Sequence, residues 1–127
     1  MVNGKAKTIA VWALSVLLAL TFVGSGGSKL ADPAQFGAIF VHWGYPAWFA
    51  LVTGAIEVIG GLLLLVPRVA AYAAGLLAVV MAGAAVTHLK TAGEAPHAAV
   101  PLILLTLALV IAVARWRRGS DRQLSNA

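Results

Sequence analysis

Hydrophobic positions in this chain come in long unbroken blocks, with polar residues gathered into short breaks between them. Four blocks approach the roughly 20 residues that a bilayer core demands of a helix. They predict membrane-crossing helices over about 8–28, 46–66, 69–89 and 98–115. The breaks are equally informative. Asp32-Pro33-Ala34-Gln35 is a helix start, with Asp as N-cap and Pro at the first helical position. The stretch that it opens, ending near Trp43, is too short to span. Phe36, Ile39, Phe40 and Trp43 recur on one face, which predicts a short interfacial helix between the first and second spans. Trp43, Tyr45 and Trp48 then sit where an aromatic belt belongs, and Gly44-Tyr45-Pro46 turns the chain inward.

The remaining breaks are plainer. Gly24-Ser25-Gly26-Gly27-Ser28 closes the first block and predicts a loosened helix end. A secretory signal begins in the same way, with Lys5 and Lys7 ahead of an apolar stretch. That stretch is long for a signal, however, and it runs on into Lys29-Leu30, so a retained span is expected. Pro67-Arg68 predicts a tight turn. Residues 91–97, with Glu94 and His97, read as a solvated polar turn. Arg115-Trp116-Arg117-Arg118 ends the last span, and 119–127 reads as a disordered tail.

Composition narrows the class further. Of 127 residues, 61% are hydrophobic and 10% charged, which excludes an ordinary soluble domain. The expected architecture is an all-α integral membrane four-helix bundle forming a single domain. The formal charge of +5 reflects membrane orientation and not nucleic-acid binding. With a cytoplasmic N-terminus, Lys5, Lys7, Arg68, Arg115, Arg117, Arg118 and Arg122 fall inside, and Lys29 and Lys90 fall outside. That bias predicts a multi-pass protein with both termini cytoplasmic. It also disfavours the antiparallel dimers of small proton-coupled exporters.

Three ionisable side chains lie in or beside the apolar blocks: Lys29, Glu57 and His88. Glu57 is about ten residues from either end of its block. A carboxylate so deep in a membrane is costly unless it faces a bundle interior or a partner, and this marks it as functional. Lys29 and His88 close their spans on the same side, so the trio is expected to line one outward-facing cavity. Ser25 and Phe22 lie one and two turns below Lys29. Thr53 lies one turn before Glu57, and Trp43 roofs the cavity. These seven are the candidate ligand-binding residues, with Glu57 and His88 the candidate acid–base pair. No metal site is expected from three scattered histidines, and the absence of cysteine removes any thiol chemistry.

Gly24-x-x-Gly27-x-Lys29-Leu30, Gly44-Tyr45-Pro46, Gly54-x-x-Glu57-x-x-Gly60, Leu64-Leu65-x-Pro67-Arg68 and Ala85-x-x-His88 resemble, in order and spacing, the DoxX-like membrane protein family. The resemblance covers about 23–115, and the family's characteristic Lys, Glu and His fall on Lys29, Glu57 and His88. It implies a small four-helix membrane bundle, and the chain's small size and lack of sorting motifs favour a bacterial cytoplasmic membrane. The family takes its name from a subunit of a thiosulfate:quinone oxidoreductase, and other members occur in oxidative-stress complexes. A distant branch assists receptor assembly. The expected function is therefore that of an accessory subunit of a redox system, binding a quinone or another lipid-phase small molecule. No cofactor is intrinsic, and the electrons come from a redox partner protein. Membrane lipid and a second copy of the chain are the other expected partners. Two alternatives stand beside this: a membrane assembly factor, or a cofactor-independent acid–base enzyme acting on a hydrophobic substrate.

Overall fold

The computed structural model describes residues 4–126, with side chains described from 4 to 117. The described residues form helices α1 (Gly4–Ala31), α2 (Pro33–His42), α3 (Phe49–Leu63), α4 (Ala70–Lys90) and α5 (Ala99–Asn126). A 3₁₀ turn, Ala95–Ala98, leads into α5. There is no strand among them, so the all-α expectation holds. Helices α1, α4 and the segment Ala95–Arg117 are long and apolar enough to cross a membrane. Their outer faces carry exposed Leu20, Val79, Ile103 and similar side chains, the surface that lipid covers.

Helix α3 is shorter than the block that predicts it, with 15 residues. Pro46 and Pro67 bracket that block, and its ends tighten into i→i+3 bonds. Phe49 N donates to Pro46 O at 3.1 Å, and Leu65 N to Leu62 O at 3.1 Å. Helical turns thus continue on both sides of the α-helical part, at the larger rise of a 3₁₀ geometry. Helix α2 begins as expected. The Asp32 carboxylate accepts from Gln35 N at 3.2 Å, and Pro33 supplies no surplus N–H.

Two expectations fail at helix ends. The glycine-rich run 24–28 does not loosen α1, which continues to Ala31. One of its glycines, Gly26, serves packing instead. A Cβ on Gly26 would collide with Gly54 O and approach Glu57 Cβ to 2.9 Å, and one on Gly54 would meet Gly26 O and Lys29 Cβ at 2.9 Å each. Gly61 repeats the arrangement two turns on, against Ala19 O and Phe22 Cβ at 3.2 Å. Small residues let two helix backbones approach where lipid supplies no hydrophobic drive. The second failure is the tail: 119–126, expected to be disordered, continues α5 to Asn126. Extending an existing helix avoids the nucleation cost, so the backbone continues helical past a single glycine.

The bundle consists of two tight pairs, α1 on α3 and α4 on α5. Glycine closes the first pair, and alanine predominates in the second. Leu18, Phe22, Leu64, Leu77, Met81 and Ile111 join the pairs into one core. Hydroxyls within the helices mostly bond inward: Ser15 to Val11 O at 2.7 Å, Thr21 to Leu17 O at 2.9 Å, Thr106 to Leu102 O at 2.9 Å. Near the termini, the buried Arg115 lies over the Trp12 ring at 4.7 Å.

The glycine seam is testable by comparing two neighbours. Gly26→Ala forces α1 from α3 and should cost about 1–3 kcal/mol by overpacking. Gly27→Ala meets nothing within 4 Å. It should be neutral or stabilising by about 0.5–1 kcal/mol. Thermal unfolding of the two variants in detergent separates them, and equal effects would refute the seam.

Candidate functional site

Lys29 stands one helical turn after Ser25, so its ammonium reaches the Ser25 hydroxyl at 2.9 Å. The same ammonium meets Glu57 Oε2 at 3.2 Å, joining α1 to α3. Gly54 makes this possible: with no side chain there, the Lys29 stem runs against α3 one turn from Glu57. Glu57 is 2% exposed. A carboxylate so enclosed requires a partner, and Lys29 provides one together with a cation–π contact over Phe36 at 5.5 Å. Lys29 therefore bends back into the bundle and does not snorkel toward head groups.

A second polar cluster lies at the rim, around a residue expected to be a solvated turn side chain. Glu94 accepts from Trp43 Nε1 at 3.0 Å and pairs with His88 Nδ1 at 3.0 Å. The exposed His42 lies 3.7 Å away. Gly93 explains the geometry. Its φ of +80° folds the turn back, so Glu94 returns over the end of α4. Because a carboxylate only accepts, His88 donates from Nδ1. The cluster latches α2 to α4. Beside it, Tyr45 OH bonds Thr87 Oγ1 at 2.8 Å, and Thr87 in turn donates to Gly83 O at 2.8 Å. Since the Thr87 proton is committed, Tyr45 is the donor. Gly44, with φ +93°, sets the turn that delivers Tyr45.

Between the two clusters lies a cavity of about 530 Å³. Phe22, Ser25 and Lys29 line it from α1, and Thr53, Ile56 and Glu57 from α3. Phe40, Trp43, Tyr45 and Phe49 make an aromatic wall, where Phe40 and Trp43 pack at 5.2 Å. Val80, Ala84, His88, Pro101 and Leu104 close it from α4 and α5. All seven candidate residues border this one space. Glu57 and His88 do not hydrogen-bond each other; each is held by a different partner. Thr53 commits its hydroxyl to Phe49 O at 2.9 Å. A smaller cavity of about 210 Å³, bounded by His42, Trp43, Tyr45, Thr87, Lys90 and Thr91, lies on the other side of Trp43 and Tyr45. Those two aromatic residues therefore divide an inner chamber from an outer one.

Glu94, Tyr45 and Thr87 were missing from the sequence-based set. A glycine directly before an acidic residue, six positions after a helix-ending histidine, is the signal that could have pointed to Glu94.

Burial pushes the Glu94 carboxyl up, but the Trp43 and His88 hydrogen bonds and the charges of His88 and His42 outweigh it. The net shift is below the ordinary value of 4.5. A depressed carboxyl pKa stabilises the fold above the unfolded-state value, and that contribution disappears as pH falls through the folded-state value. The thermal stability advantage of wild type over Glu94→Gln should therefore shrink as pH falls below about 4.5. A difference that does not change from about pH 5 to pH 3 would contradict the latch.

The profile of the DoxX-like family matches residues 13–111, a span containing both clusters and the cavity. No curated protein and no solved structure matches the chain. With several apolar helices of spanning length and a family match over most of its sequence, this multi-pass membrane protein belongs to the DoxX-like family.

Proposed function

We propose that the chain binds a quinone or another lipid-phase molecule with a polar head in the inner chamber, as an accessory subunit of a redox system. The observation that carries this reading is the chamber itself. Its volume lies within the usual range for small-molecule sites, roughly 300–1,000 Å³. Its walls are aromatic and aliphatic, and a few polar groups converge at two places, Lys29 with Glu57 and Ser25, and His88. A flat aromatic head with carbonyl oxygens fits such a lining. Lys29 and Ser25 offer donors to a carbonyl, the Glu57 carboxylate can accept a proton, and His88 carries one on its ring. A bound quinone supplies two-electron, two-proton chemistry, and a partner protein supplies the electrons. The charge bias of the sequence supports a bacterial cytoplasmic membrane protein with both termini on the cytoplasmic side and the chamber facing away from it.

The acid–base enzyme reading has less support, because Glu57 and His88 are engaged by separate partners and do not contact each other. The assembly-factor reading makes no use of the chamber.

Mass spectrometry of molecules that co-purify under gentle extraction tests the proposal. Wild type should carry a defined apolar molecule, depleted about tenfold or more in Glu57→Gln, as loss of a charged hydrogen-bond partner implies. Val80→Trp, which fills the chamber and leaves the ion pair intact, should deplete it equally. Retention of the same molecule in both folded variants would remove the chamber as the site.

A further inference from the structure

The two termini meet at the end of the bundle farthest from the chamber. There the first turns of α1 and the last described turns of α5 border a groove of about 790 Å³. Lys7 contributes to it from α1 and Arg117 from α5. Leu109, Val110 and Val113 continue it along α5 toward the apolar zone, and all three are about half-exposed. From Arg117 back to Leu109 is eight residues, or about 12 Å along a helix. The groove is thus an apolar trough, most of one leaflet deep, with two cations at its terminal end.

The charge around it is one-sided. Lys5, Lys7, Arg68, Arg115, Arg117, Arg118 and Arg122 belong to this end of the sequence pattern, against a single carboxylate, Asp121. Asp32, Glu57 and Glu94 belong to the other half. Lys7 and Arg117 come from different helices, so together they can bracket one phosphate, with the planar guanidinium offering two parallel donors.

We propose that this groove is a binding site for an anionic phospholipid. The phosphate lies between Lys7 and Arg117, and one acyl chain follows Leu109, Val110 and Val113. Both parts of the groove are needed. A soluble anion uses the cations but not the trough, and the apolar face of a partner helix uses the trough but not the cations. Within a membrane, a phospholipid joins the two at this spacing. The site is separate from the inner chamber and independent of what that chamber binds.

Native mass spectrometry of the full chain in detergent, titrated with phosphatidylglycerol, phosphatidylcholine or glycerol phosphate, tests it. Phosphatidylglycerol should bind at one site and the other two far more weakly. The Lys7→Gln/Arg117→Gln double variant should weaken it about 30-fold, the size expected for two cations at a lipid surface. Val110→Trp, which blocks the trough and keeps both charges, should also weaken it. Lys5→Gln/Arg68→Gln, which removes two cations outside the groove, should bind as wild type does. Any of these results would overturn the proposal: equal binding of the two phospholipids, equal losses in the two charge variants, or glycerol phosphate binding as tightly as the lipid. Unchanged binding in Val110→Trp would do the same. Circular dichroism of each variant shows whether a loss of binding reflects a loss of fold.

Discussion

The contact of α1 with α3 at Gly26 and Gly54 is the constraint from which the rest follows. It brings the two backbones so close that no side chain fits between them. Only at that separation does Lys29 reach Glu57 at 3.2 Å. Taking both charges out of water costs several kcal/mol per ion, and a buried pair is tolerated only when its geometry offsets that cost. The Ser25 hydroxyl completes the arrangement by accepting from the ammonium. The Gly26–Gly54 contact is therefore the structural condition for a carboxylate inside an apolar bundle.

The second helix pair follows different physics. Alanines bring α4 to α5, and Leu77, Met81 and Ile111 meet Leu18 and Phe22 across the bundle. This core fills the half nearer the termini. The other half is held apart by large aromatic residues and by the rim latch, and the chamber occupies that space. The same four helices thus make a close-packed base and an open upper half.

Much of this was legible in the sequence, because a membrane imposes strong length and polarity rules. Asp32-Pro33 marked the start of α2, the apolar blocks marked the spanning helices, and an ionisable residue in such a block could not be incidental. The residues selected on that ground border one cavity. What escaped depended on contacts between distant segments. Gly26 and Gly27 look alike in the sequence, yet only Gly26 faces a backbone. Glu94 looked solvated because nothing local shows that Gly93 turns it back toward Trp43, 51 positions away. The final stretch looked unstructured on polarity alone, although a preceding helix lowers the cost of continuing.

The helix hydroxyls have a consequence for how the bundle accommodates a guest. Ser15, Thr21 and Thr106 spend their protons on their own helices, and dispersion dominates where the base of the bundle packs. Around the chamber, by contrast, directional bonds join one segment to another: Lys29 to Glu57, Tyr45 to Thr87, Trp43 to Glu94. Such bonds are exchangeable. An incoming polar head that takes over one protein donor or acceptor replaces a bond of the same kind, so the number of satisfied groups is conserved. Close-packed apolar contacts at the base offer no such substitution. The molecule therefore has a fixed half and a negotiable half, and the boundary between them runs just above Phe22.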